Sequence, residues 1–445
     1  MEQPGVRLVT AGLLFSPVPG RRIQALPKGG FLIDARGRIR AVGTAEELQR
    51  QYPAVPCQDF GPTSLILPGF VDLHTHLPQY QGLALDRGEL LSWLEHLIFP
   101  LEARFADPDF AEQQAELFFR AALRCGTTTL VVFGPPYAEA TRRAFRVAAR
   151  LGLRVLMGQT LMDCHVPDAL RTSPEEALKA VEALLDEWHG YDGGRLSYAI
   201  APRFAGSCSR ELLRLCAEVA TRHGLLLQTH LAESPGELRW IAQLFPEAAD
   251  YTAVYEAAGM LRPQTLFAHA IYLSSSERER LRRANCALVH CPRSNVFLRS
   301  GIMPLRQYLH EGFRIGLGTD IGAGTSLFLL EEARWACEMA KLRAFLSPEE
   351  APTELSPEEA LWLATLGGAQ ALGLEHTIGS LEEGKDADFI VLDITALEPA
   401  QPLWSEPSHV LARLLYTATP AAVRAVFVRG RELFRQNPPP QSGIS

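Results

Sequence analysis

The chain has 445 residues, 47% of them hydrophobic and 21% charged, with 43 Lys and Arg against 51 Asp and Glu for a formal net charge of −8. That composition suits a globular chain with a large buried core and argues against disorder. The acidic balance argues against a general nucleic-acid binder, because phosphate contacts need a basic face.

No apolar run reaches the ~20 residues of a membrane-spanning helix. The N-terminal MEQPGVRLVTAG lacks the basic and apolar regions of a signal peptide. The eight cysteines, at 57, 125, 164, 208, 216, 286, 291 and 337, form no CxxC pair. This usage is expected of reduced thiols in a cytoplasmic protein.

Residues 7–60 carry VRLVTAGLLFSP, GGFLID and GRIRAVG, a strand-and-turn texture. Strand-length apolar runs then alternate with helical patterns. The runs are LILPGFVDLH, TTTLVVF, RVLMGQT, LSYAIAPRF, LLLQTHL, TLFAHA, CALVHCP and RIGLGTD. The intervening helices include PEEALKAVEALLDEWHG, SRELLRLCAEVATRHG and SSERERLRRAN, opened by Ser or Pro and in several cases closed by Gly. The connection 77–106, with Trp93 and Phe99, is long enough to serve as a cover over a site. A helical stretch at about 356–375 follows the last run, and DADFIVLD and VRAVFVRGREL return to strand texture. The tail NPPPQSGIS reads as frayed.

Eight buried runs alternating with helices predict an α/β fold, a (β/α)8 TIM barrel. The two termini are expected to pair into a small β-sandwich beside it. The expected division is 1–65 with 376–445 for the sandwich and 66–375 for the barrel. A doubly wound open sheet is the alternative, but it would gather polar residues at one switch point. Here they lie at the ends of many runs.

His74 and His76 close the first run. Residues i and i+2 of a strand share a face, so both imidazoles can reach one ion. His230 ends LLLQTH, His269 ends LFAH and Asp320 ends IGLGTD. A barrel brings such ends to one pocket. Three imidazoles and a carboxylate suit Zn2+ or Fe2+ with an open water position. His269 is either a direct ligand or a contact of the bound water. Glu233 follows His230 by three residues in HLAE. A carboxylate there can carry a proton from the water to a ring nitrogen or leaving group. The alternative is an acidic residue favoured at the start of a helix.

Taken together, PGFVDLHTH, QTHLAE, FAHA and GLGTD resemble the amidohydrolase superfamily, in its metal-dependent deaminase branch. HLPQY, SWLEHLIFPLEARF, APRFAGSCS, YTAVY, HCPRSN and GLGTDIGAGTS narrow the resemblance to the guanine deaminases. The resemblance covers the whole chain, sandwich included. It implies a metal-activated hydrolytic deamination of guanine to xanthine and ammonia, in a homodimer that acts on a small purine base. It implies that His74, His76, His230 and Asp320 hold one zinc ion. It further implies that Glu233 shuttles the proton, that His269 orients the water or attacked centre, and that Asp320 accepts a proton from the water. The base-binding positions it implies are His76, Leu77, Pro78, Gln79, Arg203, Phe204, His230 and Glu233, with His269 and Asp320 beside them. One departure is visible: where the family carries Asn two residues after LMD, this chain has His165, expected at the rim of the site.

The residue chemistry agrees with a guanine substrate. O6 and N7 of guanine are paired acceptors that an Arg203 fork matches. Phe204 offers a flat apolar partner for the ring, and Gln79 a donor and an acceptor for a second edge. A rim salt bridge for Arg203 and plain core packing for Phe204 are the alternatives. His290, in HCPRSN, is either a partner that orients a ligand or a buried structural histidine. Competing functions are a related deaminase acting on another heterocycle (an adenosine-type nucleoside, cytosine or a triazine) and a non-catalytic scaffold. The PCxxC motif of the other zinc deaminases is absent.

Overall fold

In the computed structural model, which describes residues 5–86, 88–350, 354–397 and 406–436, the run LILPGFVDLH forms two strands rather than one. The tail NPPPQSGIS lies outside the described residues. Ser64–Pro68 pairs with Leu13–Val18 and Phe389–Asp393, whereas Phe70–His76 pairs with Thr127–Gly134. Gly69 is where the chain crosses over. A Cβ there would meet the Thr128 side chain at 2.2 Å, so only glycine fits so close an approach. The barrel therefore starts at Phe70, and the expected division at residue 65 falls inside a sandwich strand.

Barrel strands are numbered here β1 Phe70–His76, β2 Thr127–Gly134, β3 Arg154–Leu161, β4 Leu196–Tyr198 with Ala201–Pro202, β5 Leu227–Leu231, β6 Thr265–His269, β7 Ala287–His290 and β8 Arg314–Leu317. Hydrogen bonding runs parallel through β1 to β4 and again through β5 to β8. Ile200 and Leu227 bridge β4 to β5. Asp320 N donates to His74 O at 2.8 Å, joining the segment after β8 to β1. The eight strands are nearly all buried, as parallel strands under a helical layer must be.

Local sequence sets the helix ends. Ser173, Ser234, Ser274 and Ser356 each open a helix with a capping box, taking the amide of a Glu three residues on while that Glu reaches back. Gly152, Gly224 and Gly373 close helices in the left-handed conformation.

The termini build two sheets. One runs Ile39–Thr44, Gly29–Ile33, Arg7–Thr10 and Cys57–Asp59; the other runs Arg431–Arg435, Val423–Val428, Phe389–Asp393, Ser64–Pro68, Leu13–Val18 and Arg22–Pro27. Their shared core includes Phe31, Phe389 and Phe427, with Phe389 stacked on Phe427 at 4.3 Å between centroids. The sandwich is fastened to the barrel by Arg154, which starts β3 and pairs with Asp386 at 2.7 Å and Asp388 at 3.1 Å. All eight cysteines are free, and no helix among the described residues is long and apolar enough to cross a membrane.

Candidate active site

The C-terminal ends of β1, β5, β6 and β8 bring His74, His76, His230, His269 and Asp320 together. Several of these ends leave regular strand geometry. Ala232, His269, Ala270 and Asp320 all have positive φ, a cost that side-chain residues rarely bear outside functional turns. Gly318 makes room for the cluster, since a Cβ there would lie 2.7 Å from the Cβ of His74.

His76 Nε2 lies 3.3 Å from His74 Nε2 and 3.2 Å from His230 Nε2. Asp320 Oδ1 lies 3.3 Å from both His74 Nε2 and His76 Nε2. One donor atom from each of the four residues falls within 4.8 Å of the others. Burial pulls the His76 imidazole down to about 3 and His230 well below its ordinary value, so both stand neutral. Burial works to raise the Asp320 carboxyl, but hydrogen bonds from His74 and His76 outweigh it and hold the group well below the usual range. His230 Nδ1 donates to the Arg203 carbonyl at 2.7 Å, which leaves the Nε2 lone pair facing the cluster. Neutral imidazole nitrogens crowded around one carboxylate suit a divalent cation.

Glu233 and His269 stand beside this set. Glu233 Oε2 lies 3.5 Å from His269 Nε2, and Glu233 Oε1 accepts from Ser300 Oγ at 3.2 Å. The Glu233 amide donates to Glu237 Oε2 at 2.7 Å, and Tyr251 donates its hydroxyl to Glu237 Oε1. Burial pushes the Glu233 carboxyl up to about 7. His269 Nε2 is 3.8 Å from Asp320 Oδ2, outside the tight four-residue group. Its imidazole is disfavoured as a cation by burial but raised overall by the Glu233 and Asp320 charges.

Gln79, Arg203 and Phe204 line the same narrow cavity as His76, Glu233 and Asp320. Arg203 is 2% exposed and donates to Glu102 at 2.7 Å, so it has both a buried ion pair and a face on the cavity. Leu77 turns into the hydrophobic core and Pro78 is buried in the turn Leu77–Gly82, and neither side chain lines the cavity. Trp93 and Leu94, from the connection 77–106, also line the cavity. His165 lines a separate depression with Phe204 and Trp240, its Nδ1 2.8 Å from the Gly206 carbonyl and its ring edge-on to Trp240. His290 is buried with Nδ1 unpartnered and lines a separate depression with Met303 and Met339.

Sequence reasoning assigns no role to Glu102, Glu237, Ser294, Asn295 or Ser300. Ser294 Oγ hydrogen-bonds Asp320 Oδ2, and Asn295 Oδ1 lies 2.8 Å from His269 Nδ1. Asp72 accepts from the Thr319 hydroxyl and amide and from the His74 amide, tying two ligand-bearing segments together. The only sequence signal for Glu237 is its capping-box spacing from Ser234.

Residues 65–433 match the amidohydrolase family. The chain is 33% identical to the guanine deaminase of Escherichia coli over 92% of each chain. It is 37% identical to a probable guanine deaminase of Deinococcus radiodurans over 93% of this chain and 94% of that one. The crystal structure of guanine deaminase from C. acetobutylicum with guanine in its active site superposes with a TM-score of 0.90, at 29% identity, over 97% of this chain and 100% of that one. With this barrel, this donor set and these matches along most of its length, the chain belongs to the amidohydrolase family.

Proposed function

We infer that this chain hydrolyses guanine to xanthine and ammonia. The observation that carries this reading is the shared cavity, which sets Arg203, Phe204 and Gln79 against Glu233 and the His74, His76, His230 and Asp320 group. The curated relatives and the guanine-bound structure support it from outside the chain.

His74, His76, His230 and Asp320 would hold the metal, and the donor set favours zinc, with iron as the substitute. A divalent ion held there would supply the Lewis acidity that makes water a nucleophile near neutrality. Glu233, buried and poised about 7, takes a proton from the attacking water and delivers it to the ring nitrogen beside C2. His269, between Glu233 and Asp320, orients the water and the attacked centre. The Asp320 carboxylate accepts the second proton and passes it to the C2 amino nitrogen, and ammonia leaves as the C2–N bond breaks. Phe204 lies against the purine face, Arg203 and Gln79 hold its polar edge, and the main chain of Leu77 and Pro78 borders it.

The same reading includes a homodimer in the cytoplasm, bound neither to nucleic acid nor to membrane. The free cysteines and the acidic balance support the compartment and the absence of nucleic acid. Sizing with light scattering tests the dimer.

The test of activity is ammonia release from guanine by the purified protein, with adenine, cytosine and adenosine alongside, each before and after chelation. Chelator-sensitive conversion of guanine alone is the expected result. Turnover of another ring in place of guanine would keep the metal centre and overturn the substrate.

A further inference from the structure

Gln79 and Arg203 come from different parts of the barrel, one from the turn after β1 and the other from the end of β4. A third residue joins them. Glu102, in the helix Phe99–Ala103, is 1% exposed. Its Oε2 accepts from Arg203 Nη1 at 2.7 Å, and its Oε1 accepts from Gln79 Nε2 at 3.3 Å. Each carboxylate oxygen thus serves one of the two residues that face the cavity.

This arrangement has a chemical consequence. One N–H of the Gln79 amide is held by Glu102, which fixes the orientation of the amide and with it the position of the carbonyl oxygen, the acceptor that Gln79 offers a ligand. Arg203 is held at one nitrogen by Glu102 and lies with its guanidinium carbon 5.5 Å from the ring centroid of Phe99, on the same helix. Its remaining N–H groups are donors only. The wall therefore presents one fixed acceptor and one fixed donor.

We propose that Glu102 is a specificity-determining positioning residue that fixes this acceptor and donor to match the N1–H and O6 of the purine. The inference rests on the guanine reading above. With C2 at the metal-binding group, the next ring positions on one side are N1–H and then C6=O. N1–H needs an acceptor and O6 a donor. Adenine carries an acceptor at N1 and an amino donor at C6, the reverse at both positions. A site built to pair with one pattern leaves its buried groups unpaired by the other, and such sites discriminate strongly. Without the Glu102 carboxylate, the Gln79 amide is free to turn over and the pattern is no longer single-valued.

Hypoxanthine separates binding from chemistry, because it keeps N1–H and O6 but has no C2 amino group to lose. The experiment compares the metal-loaded wild type with Glu102→Gln, reading metal content, kcat and KM for guanine, and competitive inhibition by hypoxanthine and adenine. In Glu102→Gln one of the two donors faces an amide N–H instead of an oxygen. The expected result is unchanged metal content, a KM for guanine and a Ki for hypoxanthine both raised about 10-fold or more, a smaller change in kcat, and a hypoxanthine-to-adenine preference that shrinks. A loss of uniform binding gives that split, whereas general damage to the site lowers kcat and metal content. Unchanged KM and unchanged inhibitor preference in a folded Glu102→Gln would overturn the proposal. If that variant does not fold, Glu102→Asp keeps the charge beside Arg203 but is too short to hold both partners, and a wild-type inhibitor preference there overturns it equally. A wild type that neither turns over guanine nor binds hypoxanthine would instead refute the substrate reading itself.

Discussion

Asn295 holds His269 by its far nitrogen: Asn295 Oδ1 lies 2.8 Å from His269 Nδ1, and the opposite nitrogen, Nε2, faces Glu233 Oε2 at 3.5 Å. The amide oxygen only accepts, so Nδ1 keeps a proton in either charge state of the ring. The imidazole is thereby aimed at the proton shuttle by a residue that does not touch the cavity's donor set.

Asn295→Ala should free that ring. Partners of this kind are worth about 10–100-fold in activity or metal affinity. Because His269 stands outside the four-residue group, kcat for guanine should fall within that range while metal content holds. Loss of metal with activity would place His269 among the ligands.

Glu233→Gln keeps the shape of the side chain and removes its capacity to take a proton. Positioned acid–base groups contribute about 10²–10⁴-fold, so kcat should fall by that order with metal stoichiometry unchanged. Steady-state ammonia release and metal analysis on the same preparation check it. Near-full activity would remove Glu233 from the mechanism.

Arg154 is buried between the barrel and the sandwich with Asp386 and Asp388 as its partners. Deleting one side of a buried ion pair leaves the other side uncompensated, typically at about 3–5 kcal/mol. Arg154→Ala should lose stability of that order in chemical denaturation. A loss near zero would mean that Arg429, which already donates to Asp386 at 3.0 Å and through its amide to Asp388 at 2.7 Å, compensates both acidic residues.

Glu332 offers a pH test away from the site chemistry. Burial pushes its carboxyl well above the ordinary value, and the Arg293 amide and charge offset only part of that. A carboxyl raised in the folded state binds its proton more tightly there than in the unfolded chain. Its contribution to stability is therefore full below the unfolded value and is lost as pH rises toward the folded one. As pH rises above the ordinary carboxylate range, wild-type stability should fall relative to Glu332→Gln, which has no proton to lose. Parallel pH profiles for the two proteins would show that the carboxyl is not raised.

The barrel strands, several helix caps and the gathering of His74, His76, His230, His269 and Asp320 at one end of the barrel are legible in the sequence. Each of these rests on local pattern: a continuous apolar run of strand length, a Ser or Pro opening a helical pattern, or a polar residue ending an apolar run. Those signals are legible because the strand ends of a barrel meet wherever the strands lie in sequence. The remaining features depend on packing between elements. That packing broke LILPGFVDLH at Gly69, because Thr128 leaves no room for a side chain there. It slipped the register of β1 between Asp72 and Thr75, where Asp72 reaches Thr319. It chose Glu102 for Arg203, 101 residues away, and Asn295 for His269. Such pairings follow from how helices and turns pack over the strand ends. A hydrogen bond across elements needs an approach of about 3 Å, which no spacing along the chain encodes.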